Sequence, residues 1–429
     1  MAALAPVSES ENSSPPRQGN PFKLVDPMSM GKGGVDCGLM PTSILSSESI
    51  ADALSMRFQQ VHGTRPKVFR APGRVNLIGE HTDYNDGYVM PIAIGLCTWV
   101  AAGRRDDRIL QVHSVHFGET IELSLDGLAG SPRRHWSDYI RGVAAVLGDG
   151  RKLSGANLVI YGQLPLGGGL SSSASLEIST ALALMWTSNF ELPPLEMVRI
   201  CQRAEHEYAG TRCGMMDQFV TTFGRSQHAL MLDCRSLEYQ LLPIPADARV
   251  VVANSMVRHE LAAGEYNRRR ADCETGVRIL GRHQPTVRAL RDVSPADLER
   301  HKSELPDPVY RRCHHVISEN QRVLIAAQAL QAGDLDRFGQ CMYESHRSLS
   351  CDYQVSSAEL DVLVELASAC PGVYGARMTG GGFGGCTVNL VRSDAVEQFQ
   401  AKMAEGYARA TGIIPALYAC SAAEGAGAS

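Results

Sequence analysis

Two stretches of this sequence concentrate groups suited to holding anions and hydroxyls. The first, Gln163 to Glu177, reads QLPLGGGLSSSASLE: Gly167, Gly168 and Gly169, then Leu170, with Ser171, Ser172, Ser173 and Ser175 around Ala174. Glycines let successive N–H groups turn toward an anion without a Cβ in the way, and a helix N-terminus adds unpaired donors and positive dipole. Serine hydroxyls add donors for phosphate oxygens, or a ligand for Mg²⁺. The stretch has neither the Lys of a Walker A loop nor the spaced glycines of protein kinases. Glycines alone would suit a flexible turn into a serine-capped helix; the serine cluster and the helix that follows favour phosphate binding.

The second stretch is Arg74 to Gly87, RVNLIGEHTDYNDG, which places Arg74, Asn76, Glu80, His81 and Asp83 close together. Any one of them alone reads as a solvated loop residue. Together, with Arg74 set among Val75, Leu77 and Ile78, they mark a ligand site. Side chains that donate and accept in different directions suit a polyhydroxylated ligand, and Glu-His-x-Asp has no well-attested metal spacing. A third candidate is Asp217, a carboxylate among Met215, Met216, Phe219 and Val220. It reads either as a helix N-cap or as an acid or base held in a site. Trp136, at the start of a helical pattern, reads as packing or as an adenine-stacking ring. The run Arg268-Arg269-Arg270 reads as a solvated helix face.

These groups must be positioned by strands and helices that the sequence also outlines. Ala156 to Tyr161 reads as a strand, and Leu176, Ile178, Ala181, Leu182 and Met185 fall on helical spacing, so the glycine–serine stretch joins a strand to a helix. Lys67 to Gly73 is a strand running into a turn, Asn85-Asp86-Gly87 is a hairpin-turn signal, and Tyr88 to Ala102 reads as a buried strand. Helical patterns cover Ser46 to His62, Trp136 to Leu147, Leu195 to Ala209 (carrying Glu205) and His259 to Leu280 (carrying Tyr266). Arg282 to Pro308, with Pro285, Pro295 and Pro306, looks like a peripheral excursion. Gly380 to Gly385 formally fits G-x-G-x-x-G, but a strand follows where a dinucleotide fingerprint needs a helix, so a nicotinamide site is rejected. That glycine loop is either a hairpin turn or the lining of a cleft.

At 429 residues with 44% hydrophobic content, the chain can fill more than one core. A net charge of −5 gives no bulk basic character for nucleic acid or an anionic membrane. No stretch reads as a secretory signal or a membrane span. The 12 cysteines include no C-x-x-C pair, which suggests free thiols in a reducing compartment and a soluble cytoplasmic protein. Residues 1 to 43 are rich in Ser, Pro and Gly without apolar period and read as a disordered tail.

Arg70 to Gly87, Leu164 to Glu177 and Arg377 to Thr387 follow in that order and far apart. This arrangement resembles the GHMP small-molecule kinases, named for galactokinase, homoserine kinase, mevalonate kinase and phosphomevalonate kinase. RAPGRVNLIGEHTDYNDG looks like the sugar-binding signature of the galactokinases in that family. The resemblance covers about residue 46 to the C-terminus. It implies an α/β (α+β) fold of two domains, 44–214 and 215–429, with the active site in the cleft between them. It also implies ATP-dependent phosphorylation of the C1 hydroxyl of D-galactose; the chain is expected to be a monomer, and its charge balance predicts no binding to nucleic acid or membrane.

On the same resemblance, Asp217 and Arg74 flank the anomeric hydroxyl. Glu80, His81, Asp83, Gly214 and Tyr266 match sugar contacts. Gly167, Gly168, Gly169, Leu170, Ser171, Ser172, Ser173 and Ala174 would wrap the ATP phosphates, and Trp136 falls where an adenine-side aromatic is found. Ser172 or Ser173, with Glu205, would form the Mg²⁺ neighbourhood. Met215 stands where Ile is commoner, a conservative change. An Asp is ordinarily a weak base, which leaves open whether Asp217 takes the proton or orients the hydroxyl. A kinase for N-acetylgalactosamine or another galactose-like sugar stays open beside this reading. A silent galactose sensor is disfavoured, because relatives of that kind are damaged in the phosphate loop and GGGLSSSAS here is intact.

Overall fold

The computed structural model describes residues 47–165, 168–258 and 262–429. The expected tail and Gly167 lie outside the described residues. The chain enters through helix α1 (Ser47–His62), whose Ile50, Leu54 and Phe58 are buried, and strand β1 (Lys67–Asn76). Strands β2 (Tyr88–Val89), β3 (Pro91–Arg104), β4 (Ile109–Ser114) and β5 (Glu119–Ser124) follow, then helix α2 (Ser137–Leu147), β6 (Ala156–Gly162), α3 (Ser172–Thr187), α4 (Pro194–Ala204) and α5 (Met216–Phe223). β3 is buried along nearly its whole length, as its run of Ile, Val and Ala requires. In β4 burial alternates, with Leu110, Val112 and Ser114 facing in, as expected of a strand with one wet face.

Next come β7 (His228–Asp233), β8 (Tyr239–Pro243) and β9 (Ala248–Arg258), then α6 (Ala262–Leu280), α7 (Pro295–Arg300), α8 (Asp307–Gln331), α9 (Leu335–Ser348) and α10 (Ala358–Ser368). β10 (Val373–Thr379), β11 (Gly384–Arg392), α11 (Val396–Thr411), β12 (Ala416–Cys420) and β13 (Gly427–Ala428) complete the chain. Among the described residues the strands build three sheets, in orders β13-β1-β3-β6-β4-β5, β10-β11-β9-β12 and β2-β7-β8. Neighbours are antiparallel except β4 and β6. Helices α2, α3 and α4 cover one face of the largest sheet with a core that includes Ile140, Ile178 and Leu184. A second core joins Val75 and Ile92 to Val250, Val252 and Val388 and to Val323 and Phe338 of α8 and α9, so apolar packing closes the space between the two larger sheets. No helix among the described residues is long and apolar enough to cross a membrane.

Several local expectations need correction. Asn85-Asp86-Gly87 does not close a two-residue hairpin. Asp83–Asn85 forms a 3-10 turn, Asp86 takes the left-handed conformation, and β2 pairs with β7 while β1 pairs with β3. The pattern from Leu195 to Ala209 is α-helical only to Ala204; Glu205–Ala209 is a π-helical turn, which displaces Glu205 from the ordinary helical track. Arg269 is not on a solvated face: it is buried and donates to the carbonyls of Tyr353 and Gln354. Arg282 to Pro308 is no loose excursion either, since Leu290 and Leu298 are buried in a core shared with α6 and α8. Along the chain, sheet membership changes between β6 and β7 and again between β8 and β9. The intervening α5 packs against α3 and β1, and β7 pairs with β2.

Candidate functional site

At the end of β1 the register against β3 shifts between Pro72 and Arg74, a bulge around Gly73. A Cβ on Gly73 would lie 2.6 Å from the Leu170 carbonyl and closer still to the Leu164 side chain, so glycine is needed there. Bulges re-aim the side chain that follows, and here it is Arg74. Its backbone N–H donates to Leu170 O at 3.1 Å. Its guanidinium grips Asp217 with two bonds, Nε to Oδ1 at 2.8 Å and Nη2 to Oδ2 at 3.0 Å, while Nη1 donates to Gly169 O. Burial works against the Arg74 charge, but Asp217, with Glu80 and Asp83, outweighs it and raises the pKa. Ser171, in the left-handed conformation just before α3, donates to Asp217 Oδ2 at 2.6 Å. Asp217 lies inside the first turn of α5 rather than at its N-cap, which is Met215, so the capping alternative falls. Arg74 and Asp217 are therefore wired directly to the glycine–serine loop.

The other residues expected around a polyhydroxylated ligand gather beside this pair. Asp83 so closely faces Gly214 that a Cβ there would lie 1.9 Å from Asp83 Oδ2. Burial first, then the charge of Asp217, pushes the Asp83 carboxyl up to about 7. His81 stands in an aromatic box, with ring centroids 4.6 Å from Tyr353 and 5.5 Å from Tyr266. Its Nδ1 meets Tyr84 OH at 2.8 Å, its Nε2 is buried without a partner, and burial holds the ring well below the usual histidine range, hence neutral. Glu80 is buried and its Oε1 accepts from Gly380 N at 2.7 Å, Thr379 Oγ1 at 3.1 Å and Arg377 Nη1 at 3.4 Å. The third glycine loop thus clamps Glu80. It also meets the first, where a Cβ on Gly380 would lie 2.9 Å from Gly169 O. Of the two readings for that loop, both hold: it closes the β10–β11 hairpin and it lines the site.

Behind Asp217 lies a set of buried acids. Gln218 Nε2 donates both to Glu177 Oε2 at 2.9 Å and to Glu205 Oε2 at 2.7 Å. Cys213 Sγ is 3.3 Å from the same Glu205 oxygen, and the Ser173 hydroxyl favours the charged form of Glu205. Burial, then Asp217, raises Glu205 to about 7; burial, then Glu205, raises Glu177 well above its ordinary value. Glu177 Oε1 is buried with no partner. This set fits a hard divalent cation: excess carboxylate charge, an orphaned oxygen and a hydroxyl at one place. Of the two serines expected near Mg²⁺, Ser173 is the one whose hydroxyl acts on the Glu205 carboxyl. Trp136 is half-buried and stacked on Phe117 at 5.7 Å, with Nε1 donating to Glu119 at 2.7 Å, so one indole face is already covered.

Sequence reading missed the support around these residues. Glu319 accepts from Gly79 N at 2.9 Å and Ser345 Oγ at 2.6 Å through one oxygen, and from Arg322 Nε at 2.7 Å through the other. His315 Nε2 meets Glu80 O at 3.1 Å. Arg377, wholly buried, donates to Asn76 O at 2.9 Å. Only Arg377 lay inside a noted motif. Glu319 and His315 sit on the inner face of α8 among apolar residues, a faint signal that a buried-polar reading of that helix would have found.

The chain is similar to known proteins. The family model for the galactokinase galactose-binding signature matches residues 56–104, that for the GHMP kinases N-terminal domain residues 138–225, and that for the GHMP kinases C-terminal region residues 326–409. A galactokinase of Chloroflexus aggregans is 50% identical over 370 residues, 86% of this chain and 95% of that protein. One from a Roseiflexus species is 47% identical over 376 residues, 87% and 96% of the two chains. Among solved structures, Lactococcus lactis galactokinase complexed with galactose superposes with a TM-score of 0.85 at 35% identity, over 88% of this chain and 99% of that one. A Streptococcus pneumoniae phosphomevalonate kinase shares the fold at 13% identity, TM-score 0.58, over 82% of this chain and 99% of its own.

Proposed function

Since the chain belongs to the galactokinase family of GHMP kinases, we propose that it transfers the γ-phosphoryl group of ATP to the C1 hydroxyl of D-galactose, giving galactose 1-phosphate and ADP. The observation that carries this reading is the bidentate Arg74–Asp217 pair, tied by Gly169 and Ser171 to the phosphate loop and bordered by Asp83. Phosphoryl transfer is mostly positioning and charge neutralisation. The Arg74 cation stands where charge moves between sugar oxygen and phosphate. The C1 hydroxyl donates to the Asp217 carboxylate, which Arg74 holds in a single orientation; that carboxylate receives the proton or keeps the hydroxyl aimed while the proton leaves late.

Asp83, with Glu80 beside it, accepts from the remaining sugar hydroxyls, and the neutral His81 ring offers its unpartnered Nε2. The loop from Gly168 to Ala174, with the start of α3, presents N–H and hydroxyl donors to the ATP phosphates. Ser173 and Glu205, with Glu177 behind them, are the residues that would hold Mg²⁺. When bound, the ion neutralises phosphate charge. Trp136 would receive the adenine on the face that Phe117 leaves open. The thiols of the described cysteines are free, in keeping with work in the cytoplasm, where ATP is supplied.

The test is a panel of sugars assayed for ATP-dependent ADP release. Galactose should turn over and glucose should be nearly inert, because a site built to hydrogen bond one epimer can reject the other by roughly 10⁴-fold. Equal or faster turnover of N-acetylgalactosamine would move the assignment to that sugar, and no ADP release with any sugar would remove the enzyme reading. Weaker Mn²⁺ binding to the ATP complex of Glu205→Gln, read by electron spin resonance, would place the metal beside Glu205.

A further inference from the structure

We propose that His283, His301 and Glu304 form a binding site for one borderline transition-metal cation of the Zn²⁺ class, apart from the kinase chemistry. Their donor atoms all lie within 4.8 Å of one another. His283 Nε2 is 2.7 Å from Glu304 Oε2 and His301 Nδ1 is 2.9 Å from Glu304 Oε1. The two imidazoles stack face to face, centroids 3.9 Å apart and planes 17° from parallel, so both present a nitrogen to one carboxylate. That carboxylate is held below its ordinary range by the hydrogen bonds from His301 and then His283, and stays an anion.

Two pieces of chain bring the ligands together. His283 follows the end of α6 in a turn, its N–H on Leu280 O. His301 caps the C-terminus of α7, and Glu304 ends the 3-10 turn Lys302–Glu304. Val287, Leu290, Leu298 and Leu305, all buried, lie in the core beneath these turns. The ligands therefore ride on packed backbone, while their side chains reach solvent: relative side-chain exposure is 34% for His283, 16% for His301 and 43% for Glu304. An ion can enter without unfolding anything.

The chemistry selects the cation. Two imidazole nitrogens and one carboxylate suit Zn²⁺, Ni²⁺ or Cu²⁺ and not Mg²⁺ or Ca²⁺, which take oxygen ligands. Metal–ligand bonds of about 2.0–2.2 Å place tetrahedral donors roughly 3.3–3.5 Å apart, so the contacts to Glu304 lengthen by about half an ångström and the two rings turn out of their stack to aim their in-plane lone pairs at one ion. Each ring then carries its proton on the far nitrogen, Nδ1 of His283 and Nε2 of His301. Three protein ligands leave a fourth position for water. The bound ion would staple the end of α6, whose other end carries Tyr266 and Arg269, to the segment that follows it.

The test uses the full chain, stripped with chelator and kept free of nucleotide. Calorimetry with Zn²⁺ should find a site of about one equivalent that His283→Ala/His301→Ala weakens at least about a hundredfold. Co²⁺ should give visible bands of a four-coordinate nitrogen–oxygen site, lost in the double variant, and Zn²⁺ should raise the melting temperature of wild type only. Because the side chains are partly exposed, the variant should melt like wild type in chelator, which separates loss of the site from loss of fold. Unchanged Zn²⁺ affinity in the double variant, cobalt bands with only thiolate character, or no binding at all would each overturn the proposal.

Discussion

The segment from Arg74 to Asp83 runs between two buried acid networks that are neutralised in opposite ways. On one side Glu319 makes its hydrogen bonds to Gly79, Ser345 and Arg322; burial would raise it, yet Arg322, His315 and Arg377 pull it down to about 2. Neighbouring Glu80 is clamped by Thr379, Gly380 and Arg377. On the other side Glu177 and Glu205 share one amide of Gln218, one Glu177 oxygen has no partner, and Glu205 and Asp83 rise to about 7. The first network matches its acids with the cations Arg322 and Arg377, although Arg322 Nη2 and Arg377 Nε and Nη2 have no partner, and it fixes backbone. The second is short of positive charge, the state expected of a site completed by its ligands. Arg74 and Asp217 stand between them, paired to each other and bonded into the phosphate loop.

Breaking that central pair should have the largest effect. Asp217→Asn keeps the shape but removes the charge that Arg74 grips and the acceptor of the hydroxyl proton. Its kcat should fall by about 10²–10⁴-fold with galactose binding, measured by calorimetry, changed far less. Near-normal turnover would take Asp217 out of the reaction. The first network should fail differently. Glu319→Ala leaves Arg322 and the Gly79 N–H without their acceptor in the interior, a loss of about 3–5 kcal/mol, or roughly ten degrees of melting temperature. A melting temperature within a degree of wild type would show that Glu319 does not hold the fold.

The contrast also explains what was legible in the chain. Arg74, Glu80, His81, Asp83 and Asp217 carry their chemistry in short local patterns, and the structure brings them to one place. The glycine–serine stretch was readable because its strand and helix flank it directly. What stayed hidden is set by tertiary contact. Arg269 looks like any arginine in a charged run, and only the carbonyls of Tyr353 and Gln354, remote in sequence, make it a buried residue. The π-helical turn at Glu205 and the bulge at Gly73 are likewise imposed by packing, against the simple periods on which sequence reading rests. Glu319 and His315 belong to a helix whose partners come from Gly79, Glu80, Ser345 and Ser348, so only their place on its apolar face hints at them.

Asp83 tests whether the under-neutralised side includes the sugar. Asp83→Ala should raise the galactose KM by about 10- to 100-fold, the cost of leaving sugar hydroxyls without their acceptor, with the ATP KM little changed. Gly214→Ala should act in the same direction, since its Cβ would drive the Asp83 carboxylate aside. If either variant instead lost ATP and kept galactose, the two halves of the site would be interchanged.

The smallest effect expected is a gain in stability. Glu205 has its folded pKa raised from 4.5 to about 7, so between those values the folded protein holds a proton that the unfolded chain has released. Stability therefore falls as pH rises through that window and levels off above about 7, where Glu205 is charged in both states. Glu205→Gln removes this titration. At pH 8, without nucleotide or metal, it should melt roughly 2–6 °C above wild type, and the gap should close toward pH 5, where the wild-type side chain is itself neutral. Glu177 titrates together with Glu205, and relief of their repulsion adds to the gain at high pH. Saturating Mg²⁺ and ATP should reverse the ranking, because the wild-type carboxylate then meets the cation it lacks. A variant less stable than wild type at pH 8 in the ligand-free state would mean that the Glu205 carboxylate is already neutralised within the protein, and the contrast between the two networks would fail there.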